Sequence, residues 1–147
     1  MDKLKLKHFL LNEEKALLEE ARKDLADYHN ENSLDQDNVK DLDDLAQSDS
    51  SIQFEHDLEN RIAIHLEAIQ HIEELTFESC NLVSPGSIVK VGGKKLVIAT
   101  PKRPFQYDGE SYEAISVSAP IYKLMHGKRA GDTYEFNGES HKIEEVI

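Results

Sequence analysis

Apolar residues in the first half of the chain recur at helical spacing. Leu11, Leu18, Ala21, Leu25 and Tyr28 keep one stripe along a helix while Glu and Lys fill the other faces. A second series begins at Leu45 and continues through Leu58, Ile62, Leu66, Ile69, Ile72 and Leu75 toward Thr76. A helix from Asp44 to Thr76 would be roughly 45 to 50 Å long at 1.5 Å per residue. The polar run Asn30 to Asn38 between the two series suits helix ends and turns and predicts a break there. Pairing the two stripes antiparallel buries both within one chain, so residues 1–78 are expected to form a projecting antiparallel coiled-coil hairpin.

The pattern changes after residue 79. Ser87 to Val91 and Lys94 to Thr100 are β-prone runs separated by Gly92-Gly93, a pair that supplies the positive φ angles of a tight hairpin. Tyr112 to Val117, Thr133 to Phe136 and Lys142 to Ile147 are three further strand candidates, with Asn137-Gly138 as the turn before the last. Pro120 ahead of Ile121 to His126 predicts a short helix, ended by Gly127. Residues 79–147 are therefore read as a small domain with an antiparallel sheet and one short helix, following a linker near Glu78 to Pro85. The fold class is α+β.

Composition divides at the same place. Residues 1–79 hold 8 Lys and Arg against 21 Asp and Glu, whereas residues 80–147 hold 9 against 8, so the net charge of -12 is regional. All 7 Gly and 4 Pro lie at or after Pro85, which leaves the first half free of helix breakers. An acidic total opposes general attraction to nucleic acid or anionic membrane, and any nucleic acid contact should be local. With no apolar run that could span a bilayer and no leader pattern, a cytoplasmic protein is expected. A single cysteine, Cys80, excludes an intrachain disulfide and a cysteine-built zinc site. His65 and His71 stand six apart, which suits ordinary exposed side chains better than a metal pair.

Asp41 and Asp44 are three apart, so on a helix that has begun they project from neighbouring positions. In sequence, Asp41-Leu42-Asp43-Asp44-Leu45-Ala46 resembles the Asp-Leu-x-Glu-Asn-Ala motif of the Gre family of bacterial transcript-cleavage factors. Leu58-Glu59-Asn60-Arg61-Ile62 resembles the family's Leu-Glu-x-Arg-Ile. Ile115-Ser116-Val117-Ser118-Ala119-Pro120-Ile121, followed by Leu124, Gly127-Lys128 and Gly131-Asp132, resembles its Ile-Ser-x-x-Ser-Pro-Ile, Gly-Lys and Gly-Asp pattern. The likeness covers nearly the whole chain. It departs at Asp44 and Leu45, where cleavage-active members carry Glu and Asn, and at Pro101 to Gly109, which has no clear counterpart. The tip also resembles the Asp-x-x-Asp-x-Ala motif of the DksA and TraR regulators, whose cysteine-rich zinc region one cysteine cannot build.

The resemblance implies an FKBP-like second domain that docks on RNA polymerase through Ser118, Pro120, Ile121, Leu124 and Lys128. It implies a coiled coil inserted in the polymerase's secondary channel, near the 3′ end of the nascent RNA. There Asp41 would be a ligand to a Mg²⁺ shared with the polymerase and Asp44 would orient the attacking water, with Asp43 an electrostatic helper. The chain would bind no cofactor alone, act as a monomer, and activate the polymerase's own nuclease rather than be an enzyme itself. The alternatives are a Gre-like inhibitor filling the same channel and, from another class, an FKBP-like prolyl isomerase or chaperone. For the last, Phe105, Tyr107, Tyr112, Tyr122, Tyr134 and Phe136 would have to line a pocket, and core packing is the expected use of these rings.

Overall fold

A computed structural model describes the backbone of residues 1–35 and 42–147 and the side chains of residues 1–31 and 50–147. Two 33-residue helices, α1 (Lys3–Asp35) and α2 (Leu42–Glu74), precede the strands β1 (Ile88–Val91), β2 (Lys94–Ile98), β3 (Lys102–Tyr107) and β4 (Glu110–Ile115). The short helix α3 (Pro120–Met125) and the strands β5 (Thr133–Phe136) and β6 (Glu139–Val146) follow. Contacts group Leu11–Gln70 into one compact unit and Met1–Leu10 with His71–Ile147 into another.

In the helical unit the cross-helix contacts set the direction of pairing. The Tyr28 hydroxyl donates to the Ser51 carbonyl (2.6 Å), Arg61 donates to the Asp24 carboxylate (3.2 Å), and His65 Nδ1 lies 2.9 Å from Glu14 Oε2. Partners on α2 rise in number as those on α1 fall, so the helices run antiparallel, as the two stripes predict. Leu11, Leu18, Ala21, Leu58 and Ala68 are buried along the seam. Each buried Leu contributes about 1.5–3 kcal/mol, and the seam is narrow.

Two expectations for the helices need correction. Leu66 is 45% exposed and flanks the seam, because Leu58, Ile62, His65, Ile69 and Ile72 keep the alternating four-and-three spacing and Leu66 falls one position outside it. His65 takes the seam position in its place. Its side chain is 20% exposed and Glu14's 9%, so the pair forms a polar layer between apolar ones, each group answering the other's lost water. The break expected from Asn30 also does not fall at Asn30, since α1 continues to Asp35. Asn and Ser cost a helix at most about 0.7 kcal/mol per residue relative to Ala, too little to stop one that still has a partner at Tyr28 and His29.

The sheet has six strands in the order β3-β4-β2-β1-β6-β5. Gly92 and Gly93, both at positive φ, join β1 to β2 with Val91 opposite Lys94, and Asn137-Gly138 joins β5 to β6 in the same way. The sheet is mostly antiparallel, but β2 and β4 run parallel, with Lys95 opposite Tyr112 and Val97 opposite Ala114. The cause is β3, a strand that the sequence reading leaves unassigned. The chain leaves β2, runs down the outer position as β3, turns at Asp108-Gly109 and returns as β4 between β3 and β2.

Both faces of this sheet are covered within its own unit. Val89, Val91, Leu96, Ile98 and Ile143 point to one face and pack with Val83, Tyr122, Met125 and Tyr134, so α3 lies on that side. Ile88, Val97, Tyr112 and Ala114 are buried on the other. There the start of α1 is the cover: the Phe9 ring lies 5.7 Å from Phe105 and 5.0 Å from Tyr107, and the Tyr112 hydroxyl is 3.7 Å from Met1 Sδ.

Candidate functional site

Asp41 lies outside the described residues. Asp44 is the third residue of α2, and its side chain also lies outside them. The sequence motif therefore stands at the start of α2, where acidic residues in the first turn favour the positive end of the helix dipole.

The second group of sequence-chosen residues surrounds α3. Pro120 opens the helix with its fixed φ, Ala119 is its N-terminal cap, and Gly127 at φ 76 lets the chain leave. Ser118 and Pro120 are exposed, as are Leu124 at 41% and Val117 at 36%. Ile121 instead packs against the core, and Lys128 is half-buried, its carbonyl accepting from Val83 N–H at 2.9 Å. Ser118, Pro120 and Leu124 are thus each exposed, while Ile121 belongs partly to the interior. Gly131-Asp132 is structural: the Asp132 carboxylate accepts from Arg129 N–H (2.8 Å) and closes the turn that leads into β5.

The aromatic residues do not assemble one pocket. Tyr122 and Tyr134 are buried in the core under α3. Phe105, Tyr107 and Tyr112 lie on the opposite side with Phe9, and Phe105 stacks on Tyr112 at 5.7 Å and 17°. Tyr112 is 1% exposed, and its hydroxyl donates to Glu110 (3.1 Å), whose carboxylate also holds Lys95. Lys95, and next to it Tyr112, hold the Glu110 carboxyl below the usual carboxylate range. Burial, and next to it the Glu110 carboxylate, pushes the Tyr112 phenol up to about 12.

That shift predicts an alkaline limb. A phenol that ionises later in the folded chain adds stability that is fully present below its unfolded value near 10 and is lost as pH rises through about 12. Holding the phenol up to about 12 corresponds to roughly 3 kcal/mol. Urea unfolding midpoints between pH 9 and 12 should fall steeply in the wild type and less steeply in Tyr112→Phe. Parallel curves for the two proteins would contradict the assignment.

Sequence reasoning missed Lys3, which is 5% exposed and lies at the start of α1. Its ammonium donates to the Glu78 carbonyl (2.6 Å) and the Ile147 carbonyl (2.8 Å), and Cys80 Sγ is 4.0 Å away. Burial lowers its pKa. A lysine two residues into a polar N-terminal run carries no sequence signal for such a position. Among the described residues no cluster of three His, Cys, Asp or Glu is placed to hold a metal ion, and no helix is long and apolar enough to cross a membrane.

No protein-family model matches the chain, and no curated protein matches it. Among solved structures it is similar to the transcription factor Gfh1, with 19% identity over 93% of this chain and 92% of that one and a TM-score of 0.40. It is also similar to GreA factor homolog 1 (Gfh1) of Thermus thermophilus, with 18% identity over 97% and 93% and a TM-score of 0.35. For Thermus aquaticus Gfh1 the identity is 18% over 97% and 92%, with a TM-score of 0.31. At such values the functional reading rests on this chain's own residues.

Proposed function

We propose that this chain is a Gre-type transcription factor that binds RNA polymerase, inserts its paired helices into the secondary channel and stimulates cleavage of backtracked RNA by the polymerase's own active site. The observation that carries the reading is the coincidence of motif and fold. The Asp-Leu-Asp-Asp-Leu-Ala sequence stands where α2 begins, and α2 is one of two antiparallel 33-residue helices. The Ser-Ala-Pro-Ile sequence stands where α3 begins, and Ser118, Pro120, Leu124 and Val117 are exposed. Two motifs with different tasks thus begin two different helices, one suited to reach and one to docking.

Carboxylate oxygens suit Mg²⁺, and one or two of them are what a protein normally contributes where phosphates and water complete the shell. Asp41 and Asp44 fit that donor set and leave the rest of the shell to the polymerase. A divalent ion so shared supplies charge stabilisation for the attacking and leaving oxygens. Asp41 is assigned as the ligand, Asp44 as the acceptor that orients the attacking water, and Asp43 as added negative potential. Ser118, Pro120 and Leu124 form the docking contact, flanked by Ile121 and Lys128. The chain does not catalyse alone in this scheme.

The departures at Asp44 and Leu45 favour a second reading, a factor of the same build that blocks the channel. One assay separates the two. Backtracked elongation complexes are incubated with the chain and Mg²⁺, and release of a short 3′ RNA fragment followed by renewed extension is the expected result. Suppressed extension without fragment release would assign the blocking role, and no effect on either would reject polymerase as the partner.

A further inference from the structure

The paired helices have two sides, and the cross-helix contacts tell them apart. On one side Arg61 meets Asp24 at 3.2 Å, and the Phe54 ring meets the Tyr28 ring edge-on at 5.1 Å. On the other, His29 meets Glu55. Residues seven apart fall on one line of a paired helix, so Phe54, Arg61 and Ala68 share a flank of α2, as Leu17 and Asp24 share one of α1. One heptad back from Asp24 and one on from Arg61, Leu17 comes level with Ala68. Ile64, three residues beyond Arg61 and four before Ala68, is next to both. This side therefore carries two apolar clusters, Tyr28 with Phe54 and Leu17 with Ile64, on either side of an ion pair. Phe54 is 52% exposed, Ile64 62% and Leu17 38%, and all belong to the one unit Leu11–Gln70.

Charge decides what can cover these clusters. Glu13, Glu20 and Asp27, again seven apart and all exposed, follow the outer margin of α1 on this side, and exposed Asp57 stands between Phe54 and Ile64 on α2. Arg61, the cation between the clusters, is held by Asp24. Lys15 and Arg22 stand in the heptad line of His29, on the opposite side, and Lys23 is on the back of α1. An acidic margin repels nucleic acid and anionic lipid, and a second copy would set its own carboxylates against it. A basic surface with apolar residues at helical spacing meets both the clusters and their margin.

We infer that this side of the paired helices is a docking surface for a basic amphipathic helix of another protein. Ten residues of α2, about 15 Å, separate Phe54 from Ile64. Apolar anchors at i, i+4, i+7 and i+11 of a partner helix span that distance. Lys or Arg on the partner's flanks would face Glu20, Asp27 and Asp57. The motifs at Asp41 and around α3 play no part, so the inference does not depend on the polymerase reading.

The test is fluorescence anisotropy of a labelled synthetic peptide titrated with the full chain. The peptide places Leu at i, i+4, i+7 and i+11 among Lys and Ala. One comparison scrambles the same composition so that no stripe remains, and another replaces Lys by Glu. Binding in the micromolar range at 50 mM salt is expected, weaker by several-fold at 500 mM. Phe54→Ser and Ile64→Ser, both at exposed positions, should each weaken it about fivefold or more with unchanged circular dichroism. Ile52→Ser and Leu66→Ser, also exposed but on the flank beside Glu55, should leave it within about twofold. Absence of binding by the wild type, equal affinity for the scrambled or the Glu peptide, or equal losses in the two pairs of variants would overturn the proposal. Sedimentation of the chain as a dimer that Phe54→Ser dissociates would overturn it as well, by giving this side to a second copy.

Discussion

Changing Asp41 and Asp44 together to Asn is expected to slow factor-stimulated cleavage of backtracked RNA by at least about 100-fold, the equivalent of about 2.7 kcal/mol in the barrier. Asn keeps the size of each side chain and one acceptor oxygen but removes the negative charge that a hard divalent ion requires. The rate is to be measured in single turnover at saturating protein, over a range of Mg²⁺ concentrations, so that a loss of metal retention appears as a higher Mg²⁺ requirement. Polymerase affinity should stay within about threefold, because docking is assigned to the surface around α3. Asp43 and Asp44 are the second and third residues of α2, and first-turn carboxylates are worth about 0.3–1 kcal/mol each to the helix. A small fall in melting temperature is therefore expected in the variant, too small to account for the rate. Asp44→Glu should accelerate cleavage, since the longer side chain carries the same charge further toward the metal and water. Cleavage unchanged in the double Asn variant would remove these residues from the reaction.

The helices and most strands were legible because their signals are local and redundant. The seam residues of α1 and α2 repeat over many turns, and Gly92-Gly93 and Asn137-Gly138 require φ angles that few other pairs adopt. Asp108-Gly109 is the same kind of signal, with φ 51 and 77, and would have placed β3 between two turns. Pro104 and two basic residues interrupt any alternation there, yet an edge strand tolerates all three since its outer groups face solvent. The parallel pairing of β2 with β4 followed from that missed strand. His65 was misjudged for a different reason. A polar residue at a seam position is indistinguishable from a flanking one until Glu14 is found opposite, a pairing 51 residues away along the chain. For the candidate site, residue types and helix starts were readable, whereas the division of the α3 surface into exposed Leu124 and partly buried Ile121 depended on what the sheet presents beneath.

Gly86→Ala should destabilise the sheet-containing unit by about 3–4 kcal/mol, far more than the same change at another glycine of positive φ. Ser84-Pro85-Gly86-Ser87 is a tight turn in which Ser87 N–H donates to the Ser84 carbonyl at 3.0 Å and Pro85 precedes Gly86 at φ 84. That order, proline and then a residue of positive φ, is what a type II turn demands. Gly86 N–H also donates to the Ile98 carbonyl at 2.8 Å, tying the turn to the end of β2. A Cβ at residue 86 would lie 2.2 Å from the Thr76 carbonyl oxygen and 3.1 Å from its carbon. The chain leaving α2 would have to retreat by more than 1 Å, roughly the gap between that approach and an ordinary contact. It cannot do so freely, because Phe77, 4% exposed, is anchored in the core one residue later. Gly93, at φ 75 with nothing near its missing Cβ, isolates the backbone contribution, and Gly93→Ala should cost only about 1 kcal/mol. Urea midpoints compare the two, and on melting the difference should amount to roughly 10 °C or more for a unit of this size. Equal losses in the two variants would mean that backbone conformation alone selects glycine at position 86 and that the segment after α2 yields.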